Sequence, residues 1–263
     1  MPFNSPIVEL IDSNITLHFF HIDKITSELE KVIDNTIVTI CRGPKFSTSV
    51  VKQKNILKKL LELKQGTTLE LGHISEFFIH LYLNYHGFHQ ECLYQNLEEA
   101  GIKKGFDGYY TYNNKEWIIE SKSGTMKADI THKSKTHDAY IDIGKKVSGE
   151  NLNADGYPIS PWFNAYNHAT TACSNETLLN NLNKLSEEFD EGKFYNISEF
   201  NIITVSTIFK NGKTVFTPGI EDYSKIKDEI STWLVGKNIK EGHIICTTQS
   251  TKDILINYLN SIC

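Results

Sequence analysis

The sequence predicts an α/β fold, a mixed central sheet flanked by helices, with a small N-terminal α/β segment in front of it. Three observations carry that prediction. Strand-like runs (ITLHFFHI, 15–22; EWIIESK, 116–122; HIICTTQ, 243–249) are interleaved with segments whose apolar residues recur at intervals of three and four (69–85, 224–234, 251–262). No internal repeat and no low-complexity tract interrupts this alternation. A chain of 263 residues that is 40% apolar and 22% charged buries an adequate core without disulfides or a structural metal.

Taken in order, ITLHFFHI (15–22) alternates as a strand, ITSELEKVI (25–33) has helical spacing, and IVTIC (37–41) is a β-branched run with strand character. In KQKNILKKLLELK (52–64), Ile56, Leu57, Leu60, Leu61 and Leu63 gather on one face and the lysines spread over the other. This is a cationic amphipathic helix whose lysines are expected in solvent. GTT (66–68) punctuates the chain and offers Thr67 or Thr68 as an N-cap, so the boundary is drawn there, between a segment 1–65 and a domain 66–263.

From Leu69 to Tyr85 the residues Ile74, Phe77, Phe78, Leu81, Tyr82 and Tyr85 form one apolar stripe, predicting a core helix. A second helical stretch follows near Gln95–Ala100. FDGYYTY (106–112) and EWIIESK (116–122) then flank Asn113-Asn114, residues that tolerate positive φ, and read as a β-hairpin. FNIITVSTIFK and KTVFTP (200–218) predict a second hairpin about Asn211-Gly212. A helix at 224–234, a strand at 243–249 and a capped amphipathic helix at 251–262 complete the chain.

Composition excludes several classes. The longest apolar runs fall far short of the roughly 20 residues a membrane span needs, and the mean hydropathy is −0.32. MPFNSPIVELID has no basic region ahead of an apolar core, so no secretory signal is expected and the cytoplasm is the expected compartment. Cys41, Cys92, Cys173, Cys246 and Cys263 are an odd, widely spaced set with no CxxC pair, which argues for free thiols. The net charge is −5, yet between Arg42 and Lys64 seven basic residues face one acid, Glu62. Arg42 is the only arginine among the 27 basic residues. Arginine's planar fork usually reads guanine, so DNA binding by this chain should lean on the phosphate backbone. The candidate contacts are Lys52, Lys54, Lys58, Lys59, Lys127 and Lys133, against the plainer reading of the 52–64 lysines as a solvated helix face.

The chemistry concentrates in Asp107 and in Glu120-Ser121-Lys122, thirteen residues later on the partner strand. With a two-residue turn at Asn113-Asn114, paired positions sum to 227 and Asp107 lies opposite Glu120. With a four-residue loop the sum is 229, which sets Asp107 opposite Lys122 and Tyr109 opposite Glu120. In both registers the three charged side chains share a face, because side-chain direction alternates with period two. Opposed carboxylates about 5 Å apart repel unless a cation lies between them. Mg²⁺ suits such a place, since it takes one or two protein carboxylates together with water and substrate phosphate. A neighbouring lysine can orient an attacking water or stabilise a pentavalent phosphorane. Phosphodiester hydrolysis is the reaction these residues suit.

This pattern resembles the PD-(D/E)xK nuclease superfamily, in which an Asp and then an acid-x-Lys on the adjacent strand bind Mg²⁺ and cut DNA. Phe106 stands where the proline of the motif would be. The superfamily usually adds a glutamate on the helix before the first core strand, and Glu76 in LELGHISEFFIHLYL has that place. The order LELGHISEFFIHLYL, KKGFDGYY, WIIESKSG further resembles the HamA nuclease-subunit family of the bacterial Hachiman anti-phage defence system, over about residues 66–140. The resemblance implies a restriction-endonuclease-like core and Mg²⁺ or Mn²⁺ as cofactor. Asp107, Glu120 and the Ser121 carbonyl would hold the metal, Lys122 would serve the water and the transition state, and Glu76 would support the metal through water or a second ion. It also implies DNA as substrate and a HamB-like helicase as partner. The basic helix at 52–64 is the candidate contact through which that partner restrains the nuclease.

Other readings compete. A stand-alone restriction endonuclease would carry the same site, but the scarcity of arginine counts against base-specific readout. A non-catalytic nuclease-fold module would bind DNA or a helicase without cutting. Asp107, Glu120 and Lys122 could also form only a solvated salt-bridge ladder, although WII before Glu120 reads as a buried strand where idle charges are expensive. His86, His89, Glu91 and Cys92 suggest zinc, but Gly87 interrupts the segment. NGKT (211–214) evokes a phosphate loop, yet Thr207 stands where its first glycine would be.

Overall fold

The structure is a computed structural model that describes residues 1–67, 69–95, 105–172, 175–210 and 220–261. Its elements in chain order are β1 (Asn4–Asp12), β2 (Ile15–Ile22), α1 (Ser27–Arg42), α2 (Val50–Lys64), α3 (Glu70–Tyr85), β3 (His89–Gln90), β4 (Gly108–Tyr112), β5 (Lys115–Thr125), α4 (His132–Val147), α5 (Pro161–Ala172), α6 (Glu176–Asp190), β6 (Asn201–Phe209), α7 (Ile220–Leu234), β7 (Glu241–Gln249) and α8 (Asp253–Asn260). The strands form a mixed seven-stranded sheet in the order β1-β2-β7-β6-β5-β4-β3. Its centre, β2-β7-β6-β5, is parallel, and antiparallel pairs β1–β2, β5–β4 and β4–β3 close both sides.

Period-two alternation along the central strands sorts their side chains onto two covered faces. On one face Trp117, Ile119, Ile203, Val205 and Ile245 join residues of α1, α2, α3 and α8. On the other, Ile118 and Ile202 pack under α4, α5 and α6, while Leu17, Phe19 and Ile244 pack under α7. Residues 1–65 therefore contribute β1, β2, α1 and α2 to the same sheet and core as the rest of the chain. Among the described residues no helix is long and apolar enough to cross a membrane, and Cys41, Cys92 and Cys246 are buried.

Several local expectations are corrected. IVTIC is not a strand but the second half of α1, where Ile33, Ile37, Ile40 and Cys41 are fully buried along one helical face. Burial at helical spacing outweighs the weak strand preference of β-branched residues. The N-terminal residues expected only to lack a signal form β1, which pairs with β2. The 200–218 hairpin does not form along β6, because β5 and β7 occupy both of its edges over its whole length. Residues 211–219, with the Asn-Gly pair and NGKT, lie outside the described residues, as do 96–100 of the second helical stretch. On α2 only Leu57 and Leu61 of the predicted stripe are fully buried, while Leu60 and Leu63 are exposed.

Candidate active site

The hairpin that presents the site is set by its turn. Asn113 and Asn114 have φ of 50° and 58°, the left-handed pair that a two-residue turn matched to strand twist requires. Tyr112 then pairs with Lys115 and the ladder runs to Gly108 opposite Ile119, the register whose positions sum to 227. Asp107 lies one residue beyond the ladder. Its Oδ2 accepts the Ser121 backbone N–H at 2.8 Å, in place of the next rung. The N–H and C=O of one strand residue point to the same neighbour. The Ser121 carbonyl therefore faces the same gap, past the end of β4, as the Asp107 carboxylate.

Alternation along β5 turns Ser121 toward α3 and both Glu120 and Lys122 toward α4. The Ser121 hydroxyl is 3.4 Å from the Ser75 hydroxyl, which itself donates to Thr207 Oγ1 at 2.5 Å. Glu120 is only 2% exposed. Its Oε1 is 3.2 Å from Lys122 Nζ, and its Oε2 accepts from Lys146 Nζ at 2.7 Å. Lys122 donates in turn to Asp142 Oδ2, and Lys146 stands 3.5 Å from that same carboxylate oxygen. With every group ionised, Asp107, Glu120, Asp142, Lys122 and Lys146 would sum to one net negative charge.

The electrostatics follow from burial and from these neighbours. Burial, and then the Asp107 charge, push the Glu120 carboxyl up to about 8 against the pull of Lys146 and Lys122. Burial works to lower Lys122, but the Glu120 and Asp142 carboxylates hold its ammonium above the ordinary lysine value. Burial likewise opposes ionisation of Asp142, yet Lys146, hydrogen bonds and Lys122 bring it down to about 2.

Asp107, Glu120 and Lys122 thus converge at one end of β4. Glu76 sits on α3, 3.6 Å from His80 Nε2, and its charge acts on the buried Tyr94 and Tyr110 hydroxyls. The charges that weigh most on Glu120 are Asp107, Lys146, Lys122 and Asp142, and Glu76 is not among them. Lys127 is exposed between β5 and α4, Lys133 is exposed in the first turn of α4, and Lys52 and Lys59 are exposed on α2 with Lys58 half-buried. α2 packs with α1, α3 and α8, on the sheet face away from Glu120 and Lys122. Lys54 does not face solvent as expected. It is 5% exposed, donates to Tyr258 Oη at 2.6 Å and pairs with Asp34.

Asp142 and Lys146 were not foreseen from the sequence. Both lie on α4, whose apolar stripe is thin, with Ala139, Ile143 and Val147 separated by polar residues. The available signal was Lys146 itself, a lysine falling beside Ile143 and Val147 on the buried stripe, with an acid four residues before it. The helix is stopped at its start by a Thr131–Ser134 capping box, and Lys145 and Lys146 fall in its last turn, where cations are favoured.

The Asp107 and Glu120 carboxylates and the Ser121 carbonyl are hard oxygen donors, and one or two carboxylates with water is the usual protein share of an Mg²⁺ site. The residues present therefore fit a single small divalent cation. Among the described residues no group of three or more His, Cys, Asp or Glu side chains is arranged to hold a metal. His89 pairs with Glu91 at 3.0 Å outside any such group. No protein-family model and no curated protein matches the chain.

Proposed function

We propose that this protein is a divalent-metal-dependent deoxyribonuclease that hydrolyses phosphodiester bonds with low sequence specificity, on a restriction-endonuclease-like core. The observation that carries the reading is the convergence of Asp107 and Glu120 at the end of β4, with the Lys122 ammonium 3.2 Å from Glu120 Oε1. Asp107, Glu120 and the Ser121 carbonyl would hold Mg²⁺ or Mn²⁺. When bound, such an ion polarises a phosphoryl oxygen and acidifies a coordinated water.

The remaining work falls to the chain. Lys122 orients the attacking water from the side of Glu120 and offers positive charge to the phosphorane as it develops. The buried Glu120 and the hydrophobic strand behind it exclude bulk water, which strengthens that charge interaction. Exposed Lys127, just past the end of β5, and exposed Lys133, in the first turn of α4, attract the phosphate backbone without reading bases. Glu76 is assigned a supporting role through water. In the arrangement implied by the sequence resemblance, the nuclease is the effector of an anti-phage complex and works with a helicase.

A second reading, a nuclease-fold module that binds DNA or a helicase without cutting, draws on one observation: both Glu120 carboxylate oxygens are engaged by ammonium groups. Metal dependence separates the two. Supercoiled plasmid incubated with the purified chain should be nicked in Mg²⁺ or Mn²⁺, and unrelated plasmids should be cut at similar rates. Chelation with EDTA should stop the reaction. Binding without cleavage in either metal would favour the module.

A further inference from the structure

We propose that Asp142 and Lys146 of α4 are positioning residues for the Glu120–Lys122 pair, an inference that rests on the nuclease reading above. The strand supplies the reacting groups and the helix fixes their geometry. Lys146 Nζ holds Glu120 Oε2 at 2.7 Å, and Asp142 Oδ2 accepts from Lys122 Nζ. A lysine and a glutamate two apart on a strand have long, freely rotating side chains, and catalysis requires the ammonium to stay within reach of one point. Asp142 anchors the end of Lys122 that would otherwise swing into solvent, since that side chain remains 30% exposed.

The placement is not that of an ordinary surface pair. Exposed i,i+4 ion pairs contribute little to stability, whereas Lys146 is 8% exposed beside a carboxylate at 2%. A buried ion pair is often no more stabilising than the apolar groups that could replace it, so a stability role explains it poorly. Helix α4 instead aims two opposite charges, four residues apart, at the two oppositely charged residues of β5, each onto its complement. Partners of this kind that orient a site's own groups typically contribute about 10- to 100-fold to activity.

The test uses the full chain with plasmid or duplex DNA and Mg²⁺. Asp142→Asn, at a half-exposed position that folds readily, is expected to lower kcat about 10- to 100-fold with KM for DNA essentially unchanged, and Asp142→Glu is expected to recover part of the loss. Lys146→Met is expected to act in the same direction, with Lys146→Arg restoring the contact to Glu120. A readout independent of cleavage is the ¹⁵N-lysine ammonium resonance of Lys122 in the metal-free chain. An anchored ammonium exchanges slowly enough to be seen, and the signal should be lost in Asp142→Asn. Wild-type kcat in both Asp142→Asn and Lys146→Met, in a wild type that cuts DNA, overturns the positioning role alone. A rise in KM at unchanged kcat overturns it too, since that marks a DNA contact. A wild type that cuts no DNA in Mg²⁺ or Mn²⁺ overturns the nuclease reading itself.

Discussion

Asp107 Oδ2 takes the backbone N–H of Ser121 at 2.8 Å, so the carboxylate just ahead of β4 closes the ladder of the strand that carries Glu120 and Lys122. One hydrogen bond thereby ties two of the proposed metal ligands, Asp107 and the Ser121 carbonyl, to the same rung. The contact exists only in the register in which Tyr112 meets Lys115. Turn chemistry and site chemistry are consequently one problem in this hairpin.

The turn can be tested directly. Asn113 and Asn114 both have positive φ, so Asn114→Gly should raise the melting temperature slightly, while Asn113→Val should cost about 1–2 kcal/mol. Inserting one alanine between them changes the parity of the pairing. Cleavage should then be lost even where circular dichroism reports a folded chain.

Gly108 is required by close approach. A Cβ there would lie 2.6 Å from Ile119 Cγ2 and 3.0 Å from Tyr110 Cε2, both buried side chains. Gly108→Ala should lower stability by about 1–3 kcal/mol, as overpacking does. Adding Ile119→Val, which trims the nearest methyl, should return part of that loss in denaturant titration.

Acid should unfold the protein early. Burial holds His18 and His132 down at about 3 and His243 at about 4, with the charges of His243 and His86 adding to the effect on His18 and that of Lys210 to the effect on His132. Each folded value lies below the ordinary 6.5, so below that pH the unfolded chain binds more protons than the folded one. Stability therefore falls as pH drops from about 6.5 toward 4, by about 1.4 kcal/mol per pH unit for each proton of difference. His132→Asn, which keeps a partner for the Ser206 hydroxyl now 2.8 Å from His132 Nδ1, should flatten that slope by one proton in calorimetry across the range.

The lysines of α2 should separate into two kinds. Lys54→Ala should lower the melting temperature, because it removes the partner of Asp34 and Tyr258, and should leave DNA affinity unchanged. Lys52→Ala and Lys59→Ala, on exposed positions, should leave stability within about 0.5 kcal/mol. Any DNA affinity they lose should come with a shallower dependence on salt.

Legibility followed the range of the interactions. The β4–β5 hairpin was readable because a short turn and period-two alternation are local, with the 227 register one of two that the sequence left open, and α3 because Ile74, Phe77, Phe78, Leu81 and Tyr82 repeat at helical spacing. IVTIC misled because β-branched residues carry only a weak backbone preference, and here the packing of Ile37 and Ile40 decided. The hairpin expected at 200–218 failed for a non-local reason: both edges of β6 are used by strands distant in sequence. Asp142 and Lys146 were hidden in the same way. Nothing near them in sequence announces that α4 returns along β5 and sets these two residues against Glu120 and Lys122.

Asp107, Glu120 and Lys122 are proposed to form a site that cuts DNA. The decisive comparison is wild type against Lys122→Ala on supercoiled plasmid in Mg²⁺, with melting temperatures measured on the same preparations. The wild type should nick the plasmid, and Lys122→Ala should do so at a rate lower by about 100-fold or more, because the charge that stabilises the phosphorane is gone. Equal cleavage by a folded Lys122→Ala would rule this site out.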